Sequence, residues 1–132
     1  MDGIIYPTID EIKYYNTIAI EMFRKTKHDR AITIEDAFIL KAIKAVKSKE
    51  GTIYDKAAIL LLKLTQAHAF ESGNKRTAFL STKRFVLMNN SKFNIPDSTD
   101  NVKIMIGIRE NYYTEEELRM WIKHGKIKEF RR

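Results

Sequence analysis

Apolar side chains recur along this chain every three or four residues rather than in alternation, which is typical of amphipathic helices. Only five glycines and two prolines are present, so few positions interrupt a helical pattern. The pattern predicts a mostly helical domain. The predicted helices run from Thr8 to about Lys25, from Thr33 onward, from Lys56 to about His68 behind an Asp55 cap, from Asn74 to Met88, from about Asp100 to Arg109, and from Thr114 to His124 before Gly125.

Threonines mark three of the predicted helix starts. Thr8 and Thr114 each precede a glutamate by three residues, which is the spacing of a capping box, where hydroxyl and carboxylate satisfy backbone N–H groups. Thr33 precedes Asp36 by the same interval. The sequence therefore predicts helix N-termini at these three positions.

The predicted helices differ in how much of their surface is apolar. Residues 57–62 are apolar on every side, which indicates a helix in the middle of a bundle. The first two helices have one apolar face each, formed by Ile12, Tyr15, Ile18 and Met22 and by Ala37, Leu40, Ile43 and Val46. The aromatic residues at helical spacing, also predicted to be core, are Tyr14, Tyr15, Phe23, Phe85 and Trp121.

A length of 132 residues suits one domain with one hydrophobic core. The chain has no cysteine, which excludes disulfides, thiolate metal sites and cysteine nucleophiles. No apolar run approaches the roughly 20 residues of a membrane-spanning helix, and the first residues do not resemble a secretory signal. We therefore expect a cytoplasmic protein of one domain over residues 1–132, with a frayed basic tail at 126–132.

Lysine and arginine outnumber the acidic residues by 24 to 17, a net charge of +7. Such an excess attracts nucleic acids, acidic proteins and phosphorylated small molecules alike. Lys41, Lys44 and Lys47 form one row on the second helix; a solvated helix face accounts for them better than a nucleic-acid stripe does. The charge alone does not choose among these ligand classes.

The segment that carries recognisable chemistry is HAFESGNKRTA, residues 68–78. It places a histidine at the end of the apolar helix and a glycine before the next one, whose first turn contains Asn74, Lys75 and Arg76. A helix N-terminus with two adjacent cations is suited to phosphate. A histidine beside it can take a proton from an attacking hydroxyl. These residues predict phosphoryl or nucleotidyl transfer; the other histidines, His28 and His124, lack such surroundings and are predicted to be surface residues.

This segment resembles the signature of the Fic/Doc family, whose general form is H-x-F-x-[D/E]-G-N-x-R. It is most similar to the Doc (death-on-curing) branch, which reads H-x-F-x-D-x-N-K-R-T-A. The matching residues are His68, Phe70, Gly73, Asn74, Lys75, Arg76, Thr77 and Ala78. The resemblance implies an all-α helical bundle of the Fic/Doc type, with a short flap before the motif helix, spanning nearly the whole chain.

The family resemblance also implies roles for individual residues. His68 would be the general base, Phe70 a packing residue, and Gly73, Asn74, Lys75 and Arg76 the binding site for the phosphates of ATP. A Doc-like toxin would transfer the γ-phosphate of ATP to a threonine of a translation factor such as elongation factor Tu, stopping translation. Gly51, Thr52 and Ile53 are the best match to the flap that aligns the target.

Doc toxins are silenced by a Phd-like antitoxin, which the resemblance implies as a partner alongside the target protein. Nucleic acid and membrane are not required partners.

One motif position departs from the family. The acid that binds the Mg²⁺ accompanying ATP is replaced by Ser72, and a hydroxyl is a weaker ligand than a carboxylate. Glu71 is adjacent and is the other candidate ligand. Two alternatives therefore stay open beside the kinase: a Fic-type AMP-transferase, and a degenerate Fic/Doc fold without catalysis that serves as a binding protein.

Overall fold

The computed structural model describes residues 3–23 and 29–131, which form a bundle of six α-helices. Within these residues there is no strand beyond one isolated β-bridge. The predicted all-α, single-domain architecture is confirmed. The helices are α1 (Ile9–Phe23), α2 (Asp36–Ser48), α3 (Ile53–Ala67), α4 (Asn74–Met88), α5 (Asn101–Arg109) and α6 (Glu115–His124).

Helix α3 is the centre of the bundle. It packs against α2, α4, α5 and α6, while α1 lies across α4. Residues 56–62 are all buried, as the apolar run predicted, and the polar member Lys56 donates to the backbone carbonyls of Val46 and Lys49 at the end of α2. Because α3 is enclosed, the position of its C-terminal residue is fixed by the core.

The helix starts agree with the prediction at Thr8 and Thr114, whose hydroxyls accept from the N–H three residues on. The predicted start at Thr33 is wrong. Thr33 belongs to an extended segment that pairs with the loop at Phe70. Helix α2 therefore begins at Asp36, with Glu35 as its N-cap. Helix α3 begins three residues before the predicted Lys56, because Thr52 rather than Asp55 is its N-cap.

Some predicted core positions on α1 and α2 are exposed. Met22 and Tyr14 are 66% and 62% exposed, and Ala37 and Leu40 also face solvent. The buried side of α2 is Ile39, Ala42, Ile43 and Val46, so the prediction is confirmed at Ile43 and Val46, while Ile39 and Ala42 take the place of Ala37 and Leu40. Lys41, Lys44 and Lys47 are exposed as predicted. Lys25 and His28, and the side chain of Phe23, lie outside the described residues.

The C-terminal tail, which was predicted to be frayed, contacts the bundle at Lys128 and Phe130. Gly125 closes α6 with φ +72, as predicted for the residue after this helix. The Tyr113 hydroxyl then donates to the Lys128 carbonyl at 2.9 Å, and the Phe130 ring packs edge-on against Tyr112. These contacts connect the tail to the two tyrosines that precede α6. No helix among the described residues is long and apolar enough to span a membrane.

Candidate functional site

The loop between α3 and α4 begins at His68, which ends α3 in a left-handed conformation with φ 49 and ψ 45. This conformation is uncommon for a residue with a side chain. It turns the chain sharply after the helix, and the His68 side chain is exposed while Ala69 and Phe70 are buried. The histidine is therefore presented to solvent by a loop whose next two residues are anchored in the core.

The same loop is held on one side by the extended segment 32–34. The Ile34 N–H donates to the Ala69 carbonyl at 2.8 Å, and the Glu71 N–H donates to the Ile32 carbonyl at 2.9 Å. The pairing is antiparallel and centred on Thr33 and Phe70. Residues distant in sequence thus fix the backbone just after His68.

Asn74, the first residue of α4, supports the loop with both atoms of its amide. Its Oδ1 accepts from the Phe70 N–H at 3.0 Å, and its Nδ2 donates to the Phe70 carbonyl at 2.8 Å. Asn74 was predicted to contact phosphate. In this structure its side chain closes the turn from Phe70 to the start of α4, and the residue also lines the cleft at this helix start.

The start of α4 has the features of an anion site. Gly73 is its N-cap in the left-handed region, with φ 75 and ψ 19, and no side chain caps the first turn. The N–H groups of such a turn point outward together and carry partial positive charge. Lys75 and Arg76 lie in this turn and are half-buried. The structure therefore places Gly73, Lys75 and Arg76 at the same helix start, and their contact with phosphate stays a prediction.

Asn16 of α1 is a site residue that sequence reasoning missed. It is buried, and its Nδ2 donates to the Ser72 carbonyl at 2.8 Å and to Thr77 Oγ1 at 3.1 Å. Asn16 lies 56 residues before Ser72 in the chain. A polar residue at a buried position of an otherwise apolar helix face was the one signal that could have drawn attention to it.

A cleft of about 560 Å³ opens at the start of α4. Its lining includes residues 72–76 at one end, and apolar side chains make up much of the remainder. His68 is not part of the lining. The apolar wall consists of Ala19, Ile20, Phe79, Leu80, Phe93, Ile95, Pro96, Val102 and Met105. The cleft thus joins a cationic end to a surface suited to an apolar or aromatic group.

The sequence profile of the Fic/DOC family matches residues 6–86, more than half of the chain, and the match contains α1 to α3, the motif loop and all of α4 except its last two residues. The chain belongs to the Fic/DOC family. No curated protein matches it. Members of the Fic/DOC family are typically transferases that use ATP as a substrate together with a divalent metal.

The Fic/DOC loop of this chain offers few ligands for that metal. Ser72 lines the cleft, whereas Glu71 is exposed and does not. The carboxylates that line the cleft are Asp29 and Asp97. Within the described residues no three histidine or acidic side chains form a cluster. The donor set therefore does not fit a metal held by the protein alone.

The residues predicted as the Fic/DOC flap lie far from the motif. Gly51 and Thr52 precede α3, and Ile53 is its first residue, whereas His68 is at the other end of this fifteen-residue helix. At 1.5 Å per residue the separation is about 22 Å. The physical reason is the Thr52 capping box, which makes this segment a helix start. The extended segment beside the motif loop is 32–34.

Proposed function

We propose that this chain is an ATP-dependent protein transferase that moves the γ-phosphate of ATP onto a hydroxyl of a target protein. The observation that carries the proposal is the cleft that begins at residues 72–76 and continues to an apolar wall. ATP has a polyanionic part and an aromatic part, and the cleft lining combines Lys75, Arg76 and Lys83 with an apolar wall. The match in chemistry and size supports a nucleotide as the occupant.

The direction of the cleft favours phosphate transfer over AMP transfer. His68 lies outside the cleft, on the loop that precedes its cationic end. A nucleotide with its base against Phe79 and Phe93 extends its phosphates along the start of α4 toward that loop. The phosphate nearest His68 is then the terminal one, which supports a kinase-like reaction.

The chemistry needs only a base and charge stabilisation. The target hydroxyl gives its proton to the His68 imidazole, and its oxygen forms a bond to the γ-phosphorus. The bond from that phosphorus to the oxygen bridging the β-phosphate breaks, and ADP leaves. Lys75, Arg76 and the N–H groups of the first turn of α4 offset the negative charge on the phosphates.

We propose the extended segment 32–34 as the flap that aligns the target. It runs beside the motif loop, and Ile32 and Ile34 are 39% and 60% exposed. Apolar side chains facing solvent next to His68 suit an extended stretch of a target protein. A threonine of a translation factor such as elongation factor Tu is the target that the family resemblance implies.

The reaction is tested by incubating the purified protein with cell extract and ATP labelled at the γ- or the α-phosphate, followed by mass spectrometry of the modified protein. We expect one protein to retain γ-label and to gain the mass of one phosphate. His68→Ala should abolish the transfer. His124→Ala is the matched control, since His124 is exposed at the end of α6, and it should leave transfer unchanged.

Three results would contradict the proposal. Retention of α-label on the target would identify an AMP-transferase instead. Transfer that survives His68→Ala would remove the histidine from the reaction. Growth arrest on expression that persists in His68→Ala and is lost when Lys41, Lys44 and Lys47 are replaced would identify a non-catalytic binding protein.

A further inference from the structure

The amide of Asn16 connects α1 to both sides of the turn that begins α4. One of its acceptors, the Ser72 carbonyl, precedes Gly73, and the other, Thr77 Oγ1, lies in the helix that follows. A Cβ placed on Gly73 would lie 3.3 Å from Asn16 Nδ2, so the amide packs directly behind the glycine. Asn16 therefore braces this turn from the side opposite the open N–H groups.

We propose that Asn16 is a positioning residue that fixes the phosphate-binding start of α4. The first turn of α4 lacks a side-chain cap, and within the motif the Asn74 amide ties this turn only to the backbone of Phe70. Asn16 supplies that restraint through the residue before the turn and the residue after it. The inference rests on the proposed function, because it names which residue orients the site for the phosphates of ATP.

The chemistry of the Asn16 position supports a role beyond packing. Asn16 is 1% exposed, and its Oδ1 is buried without a hydrogen-bond partner within the described residues. A buried acceptor without a partner is unfavourable, and an apolar side chain would avoid that penalty. Ile12 and Ala19 already provide the apolar contacts of this helix face. The two hydrogen bonds from the amide to the motif loop and to α4 therefore explain why an asparagine occupies this buried position.

The same helix also forms part of the cleft. Ala19 and Ile20 line it, one turn after Asn16. Loss of the Asn16 amide removes the bonds to the motif loop and to α4 but leaves Ala19 and Ile20 in the wall. Asn16 acts on the ligand through Ser72, Gly73 and α4, and it is not itself a cleft residue.

The test compares the wild type with Asn16→Leu, which has a similar volume and no hydrogen-bonding group. Calorimetry should give an ATP Kd about tenfold higher for the variant, equivalent to one lost hydrogen bond. The Kd for adenosine should stay unchanged, because only the phosphate end is disturbed. Ile12→Val is the matched control: it removes one buried methylene from the same helix and should leave both constants unchanged.

A second readout needs no nucleotide. Hydrogen exchange of the Thr77 amide, which donates to the Gly73 carbonyl, should become about tenfold faster in Asn16→Leu, while the Leu118 amide, the equivalent donor at the start of α6, should keep its wild-type rate. If Asn16→Leu does not fold, Asn16→Ala carries the same comparisons.

A wild-type exchange rate of the Thr77 amide in the variant would overturn the positioning role of Asn16. So would an equal rise of the ATP and adenosine constants, because a general loss of structure would then be the cause. A wild-type protein that binds no ATP would instead contradict the proposed function, while the exchange measurement would still decide the positioning role.

Discussion

Replacing Gly73 with alanine tests the geometry of the α4 start most directly. Gly73 has φ 75, where a residue with a Cβ is strained by about 1 kcal/mol or slightly more. The new methyl would also lie 3.2 Å from Ile20 Cδ1 and 3.3 Å from Asn16 Nδ2. Crowding at a packed position adds about 1 kcal/mol. The expected loss in the free energy of unfolding is therefore about 2 kcal/mol, or roughly 8 °C in Tm for a domain of this size.

The same substitution should weaken ATP binding. Relief of the strain rotates the backbone at Gly73 and with it the N–H groups of the first turn of α4. We expect the ATP Kd to rise at least about tenfold, which corresponds to the loss of about 1.4 kcal/mol of binding energy. Urea denaturation measures the stability, and calorimetry with ATP measures the affinity.

Gly51→Ala is the matched control. Gly51 also has a positive φ, of 125, and a Cβ there would lie 2.3 Å from Asp55 Oδ2, so this variant should lose comparable stability. It lies at the far end of α3, and its ATP affinity should equal that of the wild type. The reasoning is refuted if Gly73→Ala binds ATP as the wild type does, or if both variants lose affinity to the same extent.

Three further predictions concern single side chains. A hydrogen bond from the Thr52 N–H lowers the pKa of Asp55. Asp55→Ala should therefore lower the free energy of unfolding by about 1 kcal/mol at pH 7. Urea titrations should show this difference from wild type vanishing as the pH falls below about 4. Burial raises the pKa of Tyr113 to about 12. The stability that its hydroxyl contributes by donating to the Lys128 carbonyl is therefore fully present below about pH 10 and is lost as the pH rises toward about 12. The stability advantage of wild type over Tyr113→Phe, about 1 kcal/mol at pH 7, should disappear over that pH range. Ser72→Asp should tighten ATP binding with Mg²⁺ and weaken it without Mg²⁺, as measured by calorimetry, because the added carboxylate binds the cation but repels bare phosphates.

The helices were predictable because their signals are local. A capping box needs two residues three positions apart; Thr114 and Glu117 form one as predicted, and the Thr8 hydroxyl accepts from the Glu11 N–H. The enclosure of α3 followed from residues 57–62, since a helix that is apolar on every side must be surrounded. The capping contacts lie within one turn of the threonine that predicts them. The burial of α3 was predicted from six consecutive residues.

The failures come from contacts between distant parts of the chain. Thr33 has a good capping sequence, but its neighbours pair with the motif loop, and that pairing outweighs the local preference. The tail accepts a hydrogen bond from the Tyr113 hydroxyl at the Lys128 carbonyl, and no pattern within the tail predicts this contact. Asn16 bonds to residues 56 and 61 positions away. Such partners are set by how the helices pack, and a single sequence does not contain that information in local form.

The motif itself divides between residues that build the loop and residues that face a substrate. Phe70 is buried, Asn74 is bonded to the backbone of Phe70, and Thr77 accepts from Asn16. Agreement with the family motif at these positions predicts the shape of the loop but does not identify the reaction. The side chains that line the cleft are those of Ser72, Lys75 and Arg76 among others, and Ser72 is where this chain departs from the family pattern. The choice between kinase, AMP-transferase and binding protein therefore depends on the cleft residues and His68, and substitutions there are more informative about function than a closer match to the motif.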